Sequence, residues 1–133
     1  MAIFFPFEVY TPYRLFFSAP VETIILTLID GEAAVYANHA PFTAPVIPCL
    51  LRIKTKNGDW NTAFISEGIL EVKSHKVILI SDAAEWPSEI DYDRANKAKE
   101  QAEGILADGV FKYETEAAAT SLRRANMRIK AKQ

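Results

Sequence analysis

Two kinds of apolar spacing divide this chain, and residues 82–95 are where one replaces the other. Up to Ser81, apolar positions alternate with polar ones in short runs rich in Val, Ile, Phe and Thr, the period of half-buried strands. The pattern predicts strands over 7–11, 13–18 and 21–28, punctuated by Thr11-Pro12 and Ala19-Pro20. A turn at Asp30-Gly31 leads into a short strand over 33–36. The proline-punctuated stretch 38–48 reads as a loop with little regular structure. Strands over 50–55 and 60–66 flank Asn57-Gly58. Both turn residues tolerate positive φ, which favours a tight hairpin. Strands over 69–73 and 77–81 flank Ser74-His75, a second hairpin. Many short strands at close intervals make an antiparallel β-sandwich or barrel.

Beyond the joint the spacing becomes helical. Asp91 is placed to cap a helix, its carboxylate accepting the free amide of Arg94. Ala95, Ala98, Ala102 and Leu106 then recur on one face, and Asp108-Gly109 breaks the helix. A second helix carries Thr115, Ala118, Leu122, Ala125 and Ile129 on its apolar stripe. Two helices with a tight break fold as an antiparallel hairpin. The expected fold class is therefore α+β, with a β-sandwich domain over residues 1–86 and a helical hairpin domain over residues 87–133. The hairpin seam is mostly alanine. Alanine permits close approach but buries little, since each methylene-sized increment contributes only about 0.8 kcal/mol. Low local stability is necessary for a hairpin that opens, yet an ordinary appendage shares it.

Composition narrows the function classes. Half of the 133 residues are apolar, enough for a real core. Fifteen basic and seventeen acidic side chains leave a net charge of −2, which gives nucleic-acid binding no support. The charge is uneven. Residues 1–89 hold six basic and ten acidic side chains, and residues 90–133 hold nine and seven. After Glu116 no acid appears, and Arg123, Arg124, Arg128, Lys130 and Lys132 make a basic end suited to an acidic partner surface. Cations there also complement the C-terminal end of the helix dipole. Cys49 is alone, which excludes a disulfide framework and a thiolate metal cluster. No secretory signal is recognisable, and the uncharged run 33–51 contains three prolines, so it makes a poor membrane helix. The expectation is a soluble protein that meets a membrane only through partners. No nucleophile elbow, phosphate-cradling glycine loop or facing carboxylate pair is present, so no enzymatic site is expected.

Several short motifs occur in a telling order: Thr11-Pro12 with Phe16-Phe17-Ser18; Gly31-Glu32-x-x-Val35-Tyr36-x-x-His39-Ala40-Pro41; Ser66-Glu-Gly-Ile-Leu-Glu-Val72; Ile90-Asp91-x-x-Arg94-Ala95; and Leu122-Arg-Arg-Ala125 with Arg128. Together they resemble the epsilon-subunit family of F-type ATP synthases, whose mitochondrial counterpart is the delta type. The resemblance runs almost end to end. It implies a ten-stranded β-sandwich followed by a helical hairpin, with no catalysis and no required cofactor. It implies a central-stalk rotor subunit at the cytoplasmic face of a bacterial inner membrane. In this family the sandwich grips the gamma subunit and the c-ring, and the hairpin extends toward the catalytic subunits and restrains ATP hydrolysis. In some bacterial members the folded hairpin binds ATP as a regulator.

The resemblance also assigns residues. Glu32 and His39 match loop positions facing the c-ring. Glu85, Ile90, Asp91, Arg94, Ala95, Arg124 and Arg128 match positions that contact ATP. Arg123, Arg124, Arg128, Lys130 and Lys132 match the basic end that meets an acidic loop of the catalytic beta subunit. The residues themselves also admit plainer roles: a histidine bonded within its own loop, a helix cap at Asp91, Arg94 paired to a carboxylate one turn away, and solvated late arginines. His39, His75 and Cys49 lie in separate segments and make a poor metal set. The chain departs from the family where it has Gln101 in place of a basic residue, Glu67-Gly68 in place of two glycines, and Ala34 and Asn38 in place of glycine. The alternative reading is a free-standing β-sandwich adaptor whose helical arm binds some other acidic protein.

Overall fold

The computed structural model describes residues 2–132. Nine strands precede the helices among the described residues: β1 Phe5–Tyr10, β2 Leu15–Leu28, β3 Gly31–Tyr36, β4 Phe42–Val46, β5 Cys49–Thr55, β6 Trp60–Ile65, β7 Gly68–Val72, β8 Val77–Ser81 and β9 Ala84–Glu85. They form one continuous sheet folded into two layers, with β2 running through both. Residues 15–21 of β2 pair with β1, and its later residues pair with β5 and β3. The pairing of β1 with β8 is parallel, and the other pairings are antiparallel. Counting the two halves of β2 separately recovers the ten segments that the family resemblance implies.

The expected break at Ala19-Pro20 does not occur. Pro20 lies opposite Pro6 in the β1–β2 ladder. The next ladders begin one residue later, at Phe7 with Val77 and at Val21 with Thr55. Neither proline is therefore asked for a missing amide. The expected loop over 38–48 contains β4, which pairs along its whole length with β7 but meets β2 only at Leu28 and Val46. Pro45 is tolerated on that nearly unpaired edge, where its carbonyl accepts the amide of Ile29 at 3.1 Å.

Inward side chains alternate as the strand period requires. Phe7, Val9, Val21, Ile24, Leu51, Ile53, Leu70 and Leu79 are buried in one cluster between the layers. On β6, Ala63 and Ile65 face this core, while Phe64 faces out and is nevertheless fully buried. It is covered by the hairpin. Helix α1 spans Tyr92–Asp108 and α2 spans Lys112–Ala131. Asp91 caps α1, its Oδ1 accepting the amide of Arg94 at 3.0 Å. Gly109 ends α1 in the left-handed conformation, with φ 59°. The seam buries Ala95, Ala102, Ala118 and Ala125. At the open end of the hairpin, Phe64, Ile90 and Ala131 are buried together, flanked by Leu50, Ala83, Tyr92 and Met127.

The joint between sheet and helices is clamped. Trp86 stacks on Phe16 with ring centroids 4.5 Å apart. A single 3-10 turn, Pro87–Glu89, follows. The Glu89 carboxylate accepts both the Trp86 amide and a guanidinium N–H of Arg14 at 2.9 Å. The Tyr92 hydroxyl donates to the Pro87 carbonyl at 3.0 Å. Trp86 thus packs on the sandwich, and Glu89 ties the turn after it to Arg14. A chain ending at Trp86 should remain soluble and unfold cooperatively in denaturant, because the sheet supplies its own core. A broad, non-cooperative transition would show that the hairpin is needed for the sandwich to fold.

Candidate nucleotide-binding cavity and the basic face of the hairpin

Two helix stripes with the same spacing face each other across the hairpin. Asp91, Arg94, Ala95 and Ala98 lie at intervals of three, four and seven residues, and so do Ser121, Arg124, Ala125 and Arg128. At that spacing each set shares one face. Ala95, Ala98 and Ala125 keep the stripes close, and the polar members line a cavity of about 440 Å³, closed at the joint by Glu85 and Glu89. Six of the seven residues assigned to nucleotide contact by resemblance meet here. The seventh, Ile90, is not in the cavity lining but in the apolar contact with Phe64 and Ala131.

The arginines of α2 are partly exposed and bonded to the sandwich. The Arg123 Nε donates to the Pro48 carbonyl at 2.6 Å. Arg124 grips Glu67 with both limbs of its fork, Nε to Oε1 at 2.8 Å and Nη2 to Oε2. The Arg128 Nε donates to Glu85 Oε1 at 2.8 Å, and its guanidinium lies 4.3 Å above the Phe64 ring. All three therefore join α2 to the sandwich. Lys132 sits 5.2 Å over the Tyr92 ring, and Lys130 is exposed. Arg94 is exposed and, among the described residues, its guanidinium has no hydrogen-bond or ion-pair partner. The expected pairing of Arg94 with a carboxylate one turn away is absent.

The Arg124–Glu67 pair is the strongest electrostatic feature. The fork of Arg124, assisted by the Ser66 hydroxyl, holds the Glu67 carboxyl down to about 2 against partial burial, and Glu67 in turn raises Arg124. A carboxyl lowered from 4.5 stabilises the docked hairpin fully at neutral pH. That contribution fades as pH falls from about 4.5 toward about 2. Glu89 is likewise lowered by Arg14. Around the cavity, Arg14, Arg94, Arg124 and Arg128 balance Glu67, Glu85, Glu89 and Asp91.

The volume suits a nucleotide-sized ligand. The donors suit phosphate, since an arginine fork matches its oxygens. Arg94 has its whole fork free, whereas carboxylates hold the Nε of Arg128 and the Nε–Nη2 edge of Arg124.

The remaining assigned residues lie elsewhere. Glu32 is exposed at the start of β3, opposite Thr27. His39 follows the end of β3, its Nδ1 2.9 Å from the Ala40 carbonyl and its ring 5.2 Å from that of Phe42. The strand runs roughly 13 Å from Glu32 to Tyr36 at ~3.3 Å per residue, and the turn after it bonds the His39 amide to the Tyr36 carbonyl at 3.3 Å. Asn38 occupies the left-handed region with φ 64°, which an asparagine tolerates. His39 and His75, distant in sequence, line one small cavity with Lys73 and Lys76. Among the described residues no cluster of three metal-ligating side chains forms, and no helix is long and apolar enough to cross a membrane.

The family profile described as "ATP synthase, Delta/Epsilon chain, beta-sandwich domain" matches residues 4–87, and "ATP synthase, Delta/Epsilon chain, long alpha-helix domain" matches residues 88–133. The chain belongs to the ATP synthase delta/epsilon chain family. It is 46% identical over 127 residues to the ATP synthase epsilon chain of Caldanaerobacter subterraneus subsp. tengcongensis, covering 95% of this chain and 91% of that one. It is 47% identical over 126 residues to that of Caldicellulosiruptor bescii, with the same coverage. A chain in the cryo-EM structure of the Euglena gracilis mitochondrial ATP synthase, OSCP/F1/c-ring, superposes with a TM-score of 0.84. That superposition covers 98% of this chain and 82% of the other at 20% identity, a shared fold. An epsilon-type subunit of an F-type ATP synthase is non-catalytic, so the cavity is not an active site. Its partners are other subunits of the synthase, which sets aside the free-standing adaptor.

Sequence reasoning did not find Glu89, Ala98 and Ser121 in the cavity, nor Glu67 beside it. Ala98 and Ser121 were legible, since each extends its helix stripe by one turn. Glu67 and Arg124 are 57 residues apart, and nothing local announces their contact.

Proposed function

We propose that this chain clips the rotor of the ATP synthase together and regulates it. The sandwich holds the gamma subunit and the c-ring, with Glu32 and His39 as ring-facing residues. The hairpin alternates between the docked state described above and an extended state. When extended, Arg123, Arg124, Arg128, Lys130 and Lys132 meet an acidic loop of the catalytic beta subunit and slow ATP hydrolysis. ATP in the cavity favours the docked state by its differential affinity alone. The subunit works at the cytoplasmic face of a bacterial inner membrane, which it meets only through the complex.

One observation carries this reading: Arg124 and Arg128, two of the cations proposed to inhibit, hold the hairpin shut and line a nucleotide-sized cavity. A cation committed to one contact is withheld from the other. The gamma grip is supported by an apolar row on the outer face. Leu15, Tyr10, Ile80, Ile69 and Pro45 stand opposite one another across β2, β1, β8, β7 and β4, and all five are exposed. A continuous exposed apolar band of this kind marks a protein interface.

Calorimetric titration with ATP, alongside capture on gamma, tests the reading. The full chain should bind ATP, and Arg94→Ala should weaken binding by about tenfold or more, the effect of losing one charge-assisted fork. The chain ending at Trp86 should bind no ATP yet retain gamma. Undiminished ATP binding by the shortened chain would place the nucleotide elsewhere, and loss of gamma would refute the sandwich as the grip.

A further inference from the structure

We infer that Glu67 is a specificity-determining residue of the cavity: its carboxylate fills the Arg124 fork as a built-in anion, keeping the hairpin docked without nucleotide and denying that fork to a ligand's phosphates. The ligand half of this inference rests on the nucleotide reading above, and the docking half does not.

The position of Glu67 follows from its neighbours. Gly68 has no room for a side chain: a Cβ there would lie 2.0 Å from the Ile80 carbonyl oxygen. The start of β7 is thereby pressed against β8, with Gly68 opposite Ser81. Ser81 fixes the segment further, its hydroxyl lying 3.0 Å from the Ser66 carbonyl and 2.8 Å from that of Ala83. Glu67 is held at the turn between β6 and β7, facing α2. Its two oxygens meet both limbs of the Arg124 fork, and the Ser66 hydroxyl donates to the same carboxylate. This is the geometry in which an arginine receives a phosphate. Glu67 therefore mimics the ligand from the protein side.

The charge balance gives the consequence. The four arginines and four carboxylates around the cavity leave no positive surplus for a triphosphate. Glu85 opposes phosphate as well, but it pairs with Arg128 and lines the cavity itself. Glu67 stands outside the lining and acts only through Arg124. Neutralising it frees one fork without altering the cavity wall. The gain should be greatest for ATP and absent for adenosine, which brings no phosphate.

Two variants, Glu67→Gln and Arg124→Gln, separate this role from a merely structural one. Docking is read by amide hydrogen exchange over Lys112–Ala131 in the nucleotide-free full chain, and affinity by titration with ATP and with adenosine. Both variants should speed exchange in α2 by about fivefold or more, since each removes the same charge-assisted contact. They should part on ATP: Glu67→Gln binds it about tenfold more tightly than wild type, and Arg124→Gln more weakly. Adenosine should distinguish none of the three. Wild-type exchange in Glu67→Gln overturns the docking half. ATP binding by Glu67→Gln no tighter than wild type overturns the specificity half. If none of the chains binds ATP, the nucleotide reading and the specificity half both fall, and docking is still decided by exchange.

Discussion

Replacing Arg123, Arg124 and Arg128 together by alanine will both undock the hairpin and abolish its power to restrain hydrolysis. Each arginine makes one contact with the sandwich: a carbonyl of Pro48, the carboxylate of Glu67, the carboxylate of Glu85. The contacts are half-exposed, so each contributes on the order of 1 kcal/mol. One loss shifts the docked population only about fivefold, because the apolar contact around Phe64 remains. Three losses amount to about 3 kcal/mol, roughly a hundredfold shift. That exceeds what an alanine seam and a small apolar contact can offset. The freed hairpin then reaches the catalytic subunit without the charges that would hold it there. Any one arginine removed alone should change hydrolysis little. Added salt should weaken both contacts, since exposed charges are screened.

The largest effect on folding is expected at Gly68. An alanine there would place its Cβ 2.0 Å from the Ile80 oxygen and 2.9 Å from Ile80 C and Ser81 Cα. All three are backbone atoms, so no side chain can swing aside. The β7–β8 ladder must part to admit the methyl group, at a cost of about 3 kcal/mol or more. In a domain of this size that lowers Tm by roughly 10 °C or more. Gly104, inside α1, has nothing within 4 Å of an added Cβ. Alanine there should be neutral to stabilising by about 0.5–1 kcal/mol. A Gly68→Ala chain melting with the wild type would mean that the two strands are looser than described.

The fold was legible wherever one local cause dominates. Asn57-Gly58 turns the β5–β6 hairpin, Asp91 caps α1 and Gly109 stops it, each by its own backbone preference. The errors came where tertiary pairing outweighs a local breaker. Prolines at 20 and 45 suggested interruption, yet each is paired on one side of its strand, with Pro6 and with Ile69, and the ladder on the other side starts one residue beyond it. The burial of Phe64 breaks the two-residue alternation because β6 is covered on both faces, a fact of the docked hairpin and not of the strand.

The candidate site divides the same way. The two helix stripes, from Asp91 to Ala98 and from Ser121 to Arg128, could be drawn from spacing, and their family resemblance supplied a ligand. What spacing cannot supply is the far partner of a charge. Arg14 meets Glu89 across 75 residues, and Arg128 meets Glu85 across 43. These contacts turn a basic tail into a bonded face. They also change what the sequence suggested for Arg124, from a free phosphate ligand to one already occupied.

The most direct test of the account is the rate of ATP hydrolysis by synthase complexes carrying one of three chains: the wild type, the triple arginine replacement, and the chain ending at Trp86. At low salt the wild-type complex should be slowest. The other two should be faster and alike, because a hairpin without its arginines restrains no better than no hairpin. Equal rates in all three would contradict the account, since the tail would then not be an inhibitor.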